Sequence, residues 1–237
     1  MSDYFDTLRT AAPLILDGLL VTVYLTIGGA ALAFVLSVVL GLMAGMKHWF
    51  PRAIARVVIE FFRGTSLVVQ LFFLFFVLPM LGWELDPIAC GIVGLGLNYG
   101  AYGAEVVRGS IASVPSGQKE ATVALSLTRV QAMRRVLFPQ AWALMIPSLT
   151  NLLIQLLKGT AIVSFITLSD LTYVTDKLRI DTNTVFAYTV ALVLYFIIAY
   201  ILTLGMNLLE VRARHRLGRG QSLRDALRFR DPKQAAV

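Results

Sequence analysis

The most constraining feature of this chain is a set of apolar stretches near or above the ~20 residues that a helix needs to cross the ~30 Å hydrocarbon core of a bilayer. Residues 19–46 are apolar almost throughout and end on Lys47, His48, Trp49, Phe50 and Pro51, a basic and aromatic edge suited to the headgroup level. A second stretch runs from about 54 or 61 to 81, and a short polar turn, Gly82 to Pro87, separates it from a third at 88–107. A fourth begins near 136 and continues beyond 157, and a fifth covers 185–209. The hydrophobic set makes up 57% of the 237 residues and the mean hydropathy is +0.75. Soluble domains hold roughly 45–50%, so lipid must be the solvent for much of this surface. The expectation is an all-α membrane protein with five transmembrane helices in one domain at 19–210, an outer N-terminal segment at 1–18 and a basic tail at 211–237.

Five spans put the termini on opposite sides, and the basic residues say which side is which, because lysine and arginine in short loops stay in the cytoplasm. Lys47, Arg52, Arg56 and Arg63, then Arg108, Lys119, Arg129, Arg134 and Arg135, then the arginine-rich tail all fall on one side. The other side holds Arg9, Lys177 and Arg179 among seven acidic residues that include Glu84, Asp86 and Asp170. The N-terminus is therefore expected outside and the C-terminus in the cytoplasm. Asp3 and Asp6 leave no positive region ahead of the first apolar run, so that run is expected to stay as a span rather than be cleaved. The net charge of +7 follows the alternate loops, as topology requires, and a single aromatic residue, Phe229, stands among the basic residues of the tail. Nucleic acid is therefore not an expected partner, whereas anionic lipid is. Cys90 is the only cysteine, and His48 and His215 each sit beside basic residues, so no disulfide or metal site is expected.

The longest cytoplasmic connection, residues 113–135, is too polar to span. Pro115 and Ser116 can start a helix, with Glu120 near its positive end. Ala121, Ala124 and Leu125 fall on one face at three- and four-residue spacing, and Leu127 and Thr128 end the helix before another begins at Arg129. Such a helix either lies in a groove on a soluble partner or rests on lipid. Within the membrane, each ionisable residue costs roughly 2.5–3.5 kcal/mol on insertion scales. Arg108 is expected to pair with Glu105 three residues away, and Arg63 to snorkel to headgroups. Asn151, Gln155 and Lys158 share one face of the fourth span, which points to a solute pathway or a subunit contact. Asn98, Tyr99 and Tyr102 lie in the glycine-rich third span, where aromatic faces can attract a cation and an amide can bind a carboxylate.

The segment Gly117-Gln-Lys-Glu120-Ala121-Thr122-Val-Ala124-Leu125-Ser126-Leu-Thr128, followed by Val136-Leu-Phe-Pro139-Gln140-Ala141, resembles the EAA loop of binding-protein-dependent ABC importer permeases. Three more blocks resemble that family in the same order: Gly18 to Thr22, Phe62-Arg63-Gly64-Thr65-Ser66 to Gln70, and Asn151 to Thr160. The resemblance covers about 18–209 and is to the polar amino-acid permeases, most of all those of ectoine and hydroxyectoine importers. It implies a type I ABC importer permease fold in the bacterial inner membrane. It also implies that Gly117, Glu120, Ala121, Thr122, Ala124, Leu125 and Ser126 couple the chain to an ABC ATPase dimer, which would carry the ATP and Mg. A second permease, identical or homologous, and an external solute-binding protein are the other implied partners. The sequence departs from the family pattern at Thr122, where a second alanine is usual, at Ser126, where glycine is usual, and at Gly159-Thr160-Ala161 in place of Asp-Thr-Ser. No G-x-x-x-x-G-K-[ST] phosphate loop occurs, so the chain is expected to be a non-catalytic transport subunit. An ion-coupled secondary carrier using Glu105 is the alternative, although such carriers are usually built from inverted repeats.

Overall fold

The computed structural model describes residues 2–216, and all regular structure among them is helical. Helix α1, Ser2–Ala44, is continuous, and Arg9–Ala44 is apolar enough to cross a membrane. It therefore begins well before position 19, with Pro13 inside it. The second apolar stretch is not one continuous helix. It consists of α2, Trp49–Gly64, and α3, Leu67–Phe72, which continues through a π-helical turn at Phe73–Val77, and the two parts are bent by 102°. The chain is extended at Thr65 and Ser66, which breaks the helix there.

Helix α4, Pro87–Ala112, starts on Pro87, with the Asp86 side chain accepting from Ile88 N at 3.0 Å. Its 26 residues measure about 39 Å at ~1.5 Å per residue, long enough to cross. Its glycines, Asn98, Glu105 and Arg108 nevertheless keep it out of the apolar set: three described helices pass by length and composition, or four with the bent pair. After α5, Ser116–Ala124, and α6, Arg129–Ala132, a π-helical turn leads into α7, Phe138–Gly159, which runs on as a 3-10 helix to Ile166. Helix α8, Leu171–Asp181, was not expected from the sequence, and α9, Thr184–Arg216, closes the described chain. The rest of the basic tail, from 217 on, lies outside the described residues.

Helix α4 sits at the centre, packed on α1 along most of its length and on α7 beside it. Lipid is as apolar as leucine, so close van der Waals packing must hold such helices together. Glycine makes the approach possible. A Cβ on Gly96 or Gly100 would enter Leu32 or Leu36, and one on Gly41 would lie 2.7 Å from Ala104 O. The buried hydroxyls of α1 bond to their own helix: Thr22 to Gly18 O at 3.0 Å, Thr26 to Thr22 O at 2.7 Å, and Ser37 to Ala33 O at 2.6 Å. Helix α8 is pinned to α1 by Leu171 N, which donates to Thr22 Oγ1 at 3.1 Å, and a Cβ at Gly18 would lie 2.7 Å from Val174 Cγ2. That contact gives Gly18 and Thr22 a structural reason to stand four residues apart. The fully buried Asp170 carboxylate caps α8, accepting from Tyr173 N at 3.0 Å and Thr172 N at 3.2 Å.

Candidate functional site: the surface loop and the broken helix

The loop helix α5 projects from the molecule. Gly117, Glu120, Ala121, Ala124, Leu125 and Ser126 are all exposed, and Val123 and Leu125 show 76% and 71% of their surface. Two residues apart, Val123 and Leu125 project from opposite flanks of the helix, and exposed Glu120, Ala121 and Ala124 occupy the outward face between them. Thr122 is the exception: its side chain is buried against the rest of the chain, and its hydroxyl donates to Lys119 O at 2.7 Å. A threonine in place of the second alanine thus faces the permease, not the outside.

The loop is tied down at several points. Leu127 N donates to Thr122 O at 3.0 Å and Ser126 N to Val123 O at 2.9 Å, the paired bonds that close a helix when the residue after its cap turns left-handed. That residue is Ser126, with φ +51°, at the position where the family pattern has glycine. Thr128 and Gln131 then form a capping box at 3.3 and 3.0 Å. Gln140 Nε2 on α7 donates to Gln118 Oε1 at 3.0 Å, and Val114 is buried with Val107, Ala141 and Met145. These contacts tie the loop to α4 and α7.

The break between α2 and α3 concentrates polar groups. Interrupting a helix orphans its last carbonyls, and here three of them receive side-chain donors. Thr65 Oγ1 donates to Phe61 O at 2.8 Å, Gln70 Nε2 and Asn98 Nδ2 donate to Phe62 O at 2.9 and 3.0 Å, and Tyr102 OH donates to Arg63 O at 3.3 Å. Asn98 also donates to Gln70 Oε1 at 3.2 Å, and Gln70 to Thr65 Oγ1 at 2.6 Å. Asn98 is 5% exposed, and both of these bonds are donated by its Nδ2. The Arg63 guanidinium lies 5.4 Å from the Tyr102 ring centroid and 3.6 Å from Glu60, and its buried Nε has no partner among the described residues. Gln70 and Thr65 were not singled out from the sequence. The signals were an amide inside an apolar run and the Gly64-Thr65-Ser66 cluster of loop formers.

The other singled-out residues separate into two groups. Glu105 and Arg108 pair as expected, with Nη2 to Oε2 at 2.5 Å and Nε to Oε2 at 3.1 Å. Tyr99 OH crosses to α7 and donates to Gln155 O at 2.8 Å, its ring packed over Gly159. By contrast, the side chains of Asn151, Gln155 and Lys158 are exposed on one face of α7, and none makes a hydrogen bond or ion pair with another described residue. An exposed polar face on an apolar helix, beside a helix break bridged by side chains and an exposed loop helix, marks the class of helical membrane proteins.

The comparisons with known proteins give that class a family. The profile of the "Binding-protein-dependent transport system inner membrane component" matches residues 37–215, and the chain belongs to this family. It is 44% identical over 202 residues to a probable amino-acid ABC transporter permease, y4tF, of Sinorhizobium fredii, covering 81% of this chain and 84% of that one. It is 33% identical over 205 residues to the glutamine transport system permease GlnP of Escherichia coli, covering 85% and 94%. The L-cystine transport system permease TcyB of Bacillus subtilis is 34% identical over 206 residues, with 84% and 86% covered. Among solved structures, a chain of an amino acid ABC transporter with histidines superposes with a TM-score of 0.80 at 32% identity, covering 88% of this chain and 98% of that one. A chain of the inward-facing MetNI methionine ABC transporter, 20% identical, shares the fold at a TM-score of 0.74, with 86% and 98% covered. The chain is thus an inner-membrane permease subunit of the amino-acid ABC importer type, with the type I permease fold.

Proposed function

We propose that this chain forms one half of the translocation path for a small zwitterionic solute, a polar amino acid or an ectoine-like compatible solute, and that ATP hydrolysis on a partner ATPase dimer drives it between outward- and inward-open states. The observation that carries the reading is the exposed α5 helix, which presents Glu120, Ala121 and Ala124 outward between the apolar side chains of Val123 and Leu125. In this reading Gly117, Glu120, Ala121, Ala124 and Leu125 sit in a groove of the ATPase, and the left-handed Ser126 turn fixes the angle at which they enter. The basic loops on the α5 side support a cytoplasmic α5 and C-terminus with the N-terminus outside. Asn151, Gln155 and Lys158 line the path toward a second permease, while Asn98 and Tyr102 hold the shape of the broken helix beside it. Each state is favoured by differential binding of ATP and of the loaded external receptor.

The test is uptake in proteoliposomes holding this chain, its ATPase and its receptor. Radiolabelled amino acids and ectoines compete for ATP-dependent uptake, and the best competitor identifies the solute. Glu120→Arg is expected to abolish ATPase association and uptake while the permease remains inserted. Normal uptake by that variant, or uptake driven by an ion gradient without ATP, would overturn the reading.

A further inference from the structure

The two halves of the second apolar stretch run in different directions. Helix α3 runs beside α4, with Leu71 packed where Gly94 leaves room and the Cys90 thiol 3.6 Å from Leu74 O. A bend of 102° between α2 and α3 therefore sets α2 nearly perpendicular to the helix that α3 follows. If α4 crosses the bilayer, α2 lies along its surface.

The faces of α2 agree with that placement. At about 100° per residue, Phe50, Ile54, Val57 and Phe61 fall in a sector about 60° wide; all four are exposed, Val57 at 71% and Phe50 at 61%. Arg52, Arg56, Glu60 and Arg63 occupy a second sector about 80° wide. Between them on the remaining side, Ala55 and Ile59 are buried against Leu40, Ala44 and Ala104, at the ends of α1 and α4 that lead into the basic loops. A helix that packs sideways on two spans, turns an apolar stripe one way and its arginines another, and carries Trp49 at its start has the form of an interfacial helix. A cavity of about 300 Å³ opens under its charged sector, lined by Ala44, Arg56, Glu60, Glu105 and Arg108. Arg108 there is matched by Glu105, whereas Arg52 and Arg56 make no ion pair among the described residues.

We infer that α2 lies flat in the headgroup plane of the cytoplasmic leaflet and that Arg52 and Arg56, with the cavity below them, hold the phosphate of an anionic phospholipid. The apolar stripe covers acyl chains, and the lipid braces the broken helix from outside. Snorkelling arginines and a polar cavity at one depth favour lipid over a second protein chain, which would leave those charges facing an apolar partner.

The test uses the full-length chain with Cys90 replaced by alanine and single cysteines at 50, 54, 57 and 61, spin-labelled and reconstituted in vesicles of phosphatidylethanolamine with phosphatidylglycerol. Oxygen and nickel accessibility is expected to give the same depth at all four sites, whereas a spanning α2 would separate sites 50 and 61 by about 16 Å in depth. A progressive change in depth overturns the placement. Labels shielded from oxygen at all four sites indicate a protein partner on the stripe and overturn the lipid assignment. Retention of phosphatidylglycerol through purification, read by native mass spectrometry, is expected to fall about fivefold in Arg56→Gln and to be preserved in Arg56→Lys. Equal retention in both variants overturns the headgroup site.

Discussion

Replacing Asn98 by leucine tests how the broken helix is held. The leucine fills the same volume but removes two donated bonds, 3.0 Å to Phe62 O and 3.2 Å to Gln70 Oε1. Phe62 O keeps Gln70 Nε2 as a donor, so the lasting damage falls on Gln70 Oε1, left buried without a donor. An unsatisfied buried acceptor costs about 1–3 kcal/mol in general. Measured side-chain bonds between membrane helices average ~0.6 and reach ~1.7 kcal/mol, so the expected loss is about 1–2 kcal/mol. Unfolding in mixed micelles, followed by circular dichroism, gives that loss directly. Gln70→Leu removes the acceptor as well as the donor to Thr65, so the double variant Asn98→Leu, Gln70→Leu is expected to lose about 1 kcal/mol less than the sum of the single losses. Additivity within ~0.5 kcal/mol would refute the stitched break. An altered solute dose response with unchanged stability would instead make Asn98 a direct solute ligand.

Two further perturbations follow from the geometry. Ser126→Gly is expected to stabilise the end of α5 by about 1 kcal/mol, because the left-handed turn costs a residue with a β-carbon roughly that much, and Ser126→Val to weaken it; slower and faster amide exchange at Leu127 would report each, and the reverse order would refute the assignment. Burial pushes the Asp170 carboxyl above the usual carboxylate range, opposed by donors on Tyr173, Thr172 and Tyr195. The folded state then binds its proton more tightly than the unfolded chain, so this contribution to stability is full in acid and is lost as pH rises through the raised folded value. Asp170→Asn is expected to flatten that fall, and an unchanged unfolding profile across pH would rule the contribution out.

What was legible in the sequence was whatever a single segment decides. Apolar length announced α1, α7 and α9, the loop formers around Pro115 and Thr128 bounded α5, and the three-residue spacing of Glu105 and Arg108 announced their pair. What was not legible depended on partners elsewhere in the chain. The break at Gly64 to Ser66 persists because Gln70 and Asn98, 28 residues apart, both reach Phe62 O. Helix α8 looked like a polar connection, since its charged residues hide a short stripe of Leu171, Val174, Thr175 and Leu178 that only gains meaning against α1. An aspartate ahead of that spacing was the available clue. The coupling role of Thr122 was inferred from resemblance, and only burial reveals which way its side chain turns.

The self-bonded hydroxyls of α1 bear on how the chain is made. Helix α1 leaves the ribosome and enters lipid before its neighbour α4 has been synthesised, and in lipid an unbonded hydroxyl has no water to turn to. Thr22, Thr26 and Ser37 each carry an acceptor one turn back on their own helix, so α1 can wait alone in the bilayer without penalty. Asn98 has no such local partner; its acceptors belong to segments made before it. The order of synthesis therefore matches the order of need, with the self-sufficient helix first and the dependent one arriving when its partners already exist.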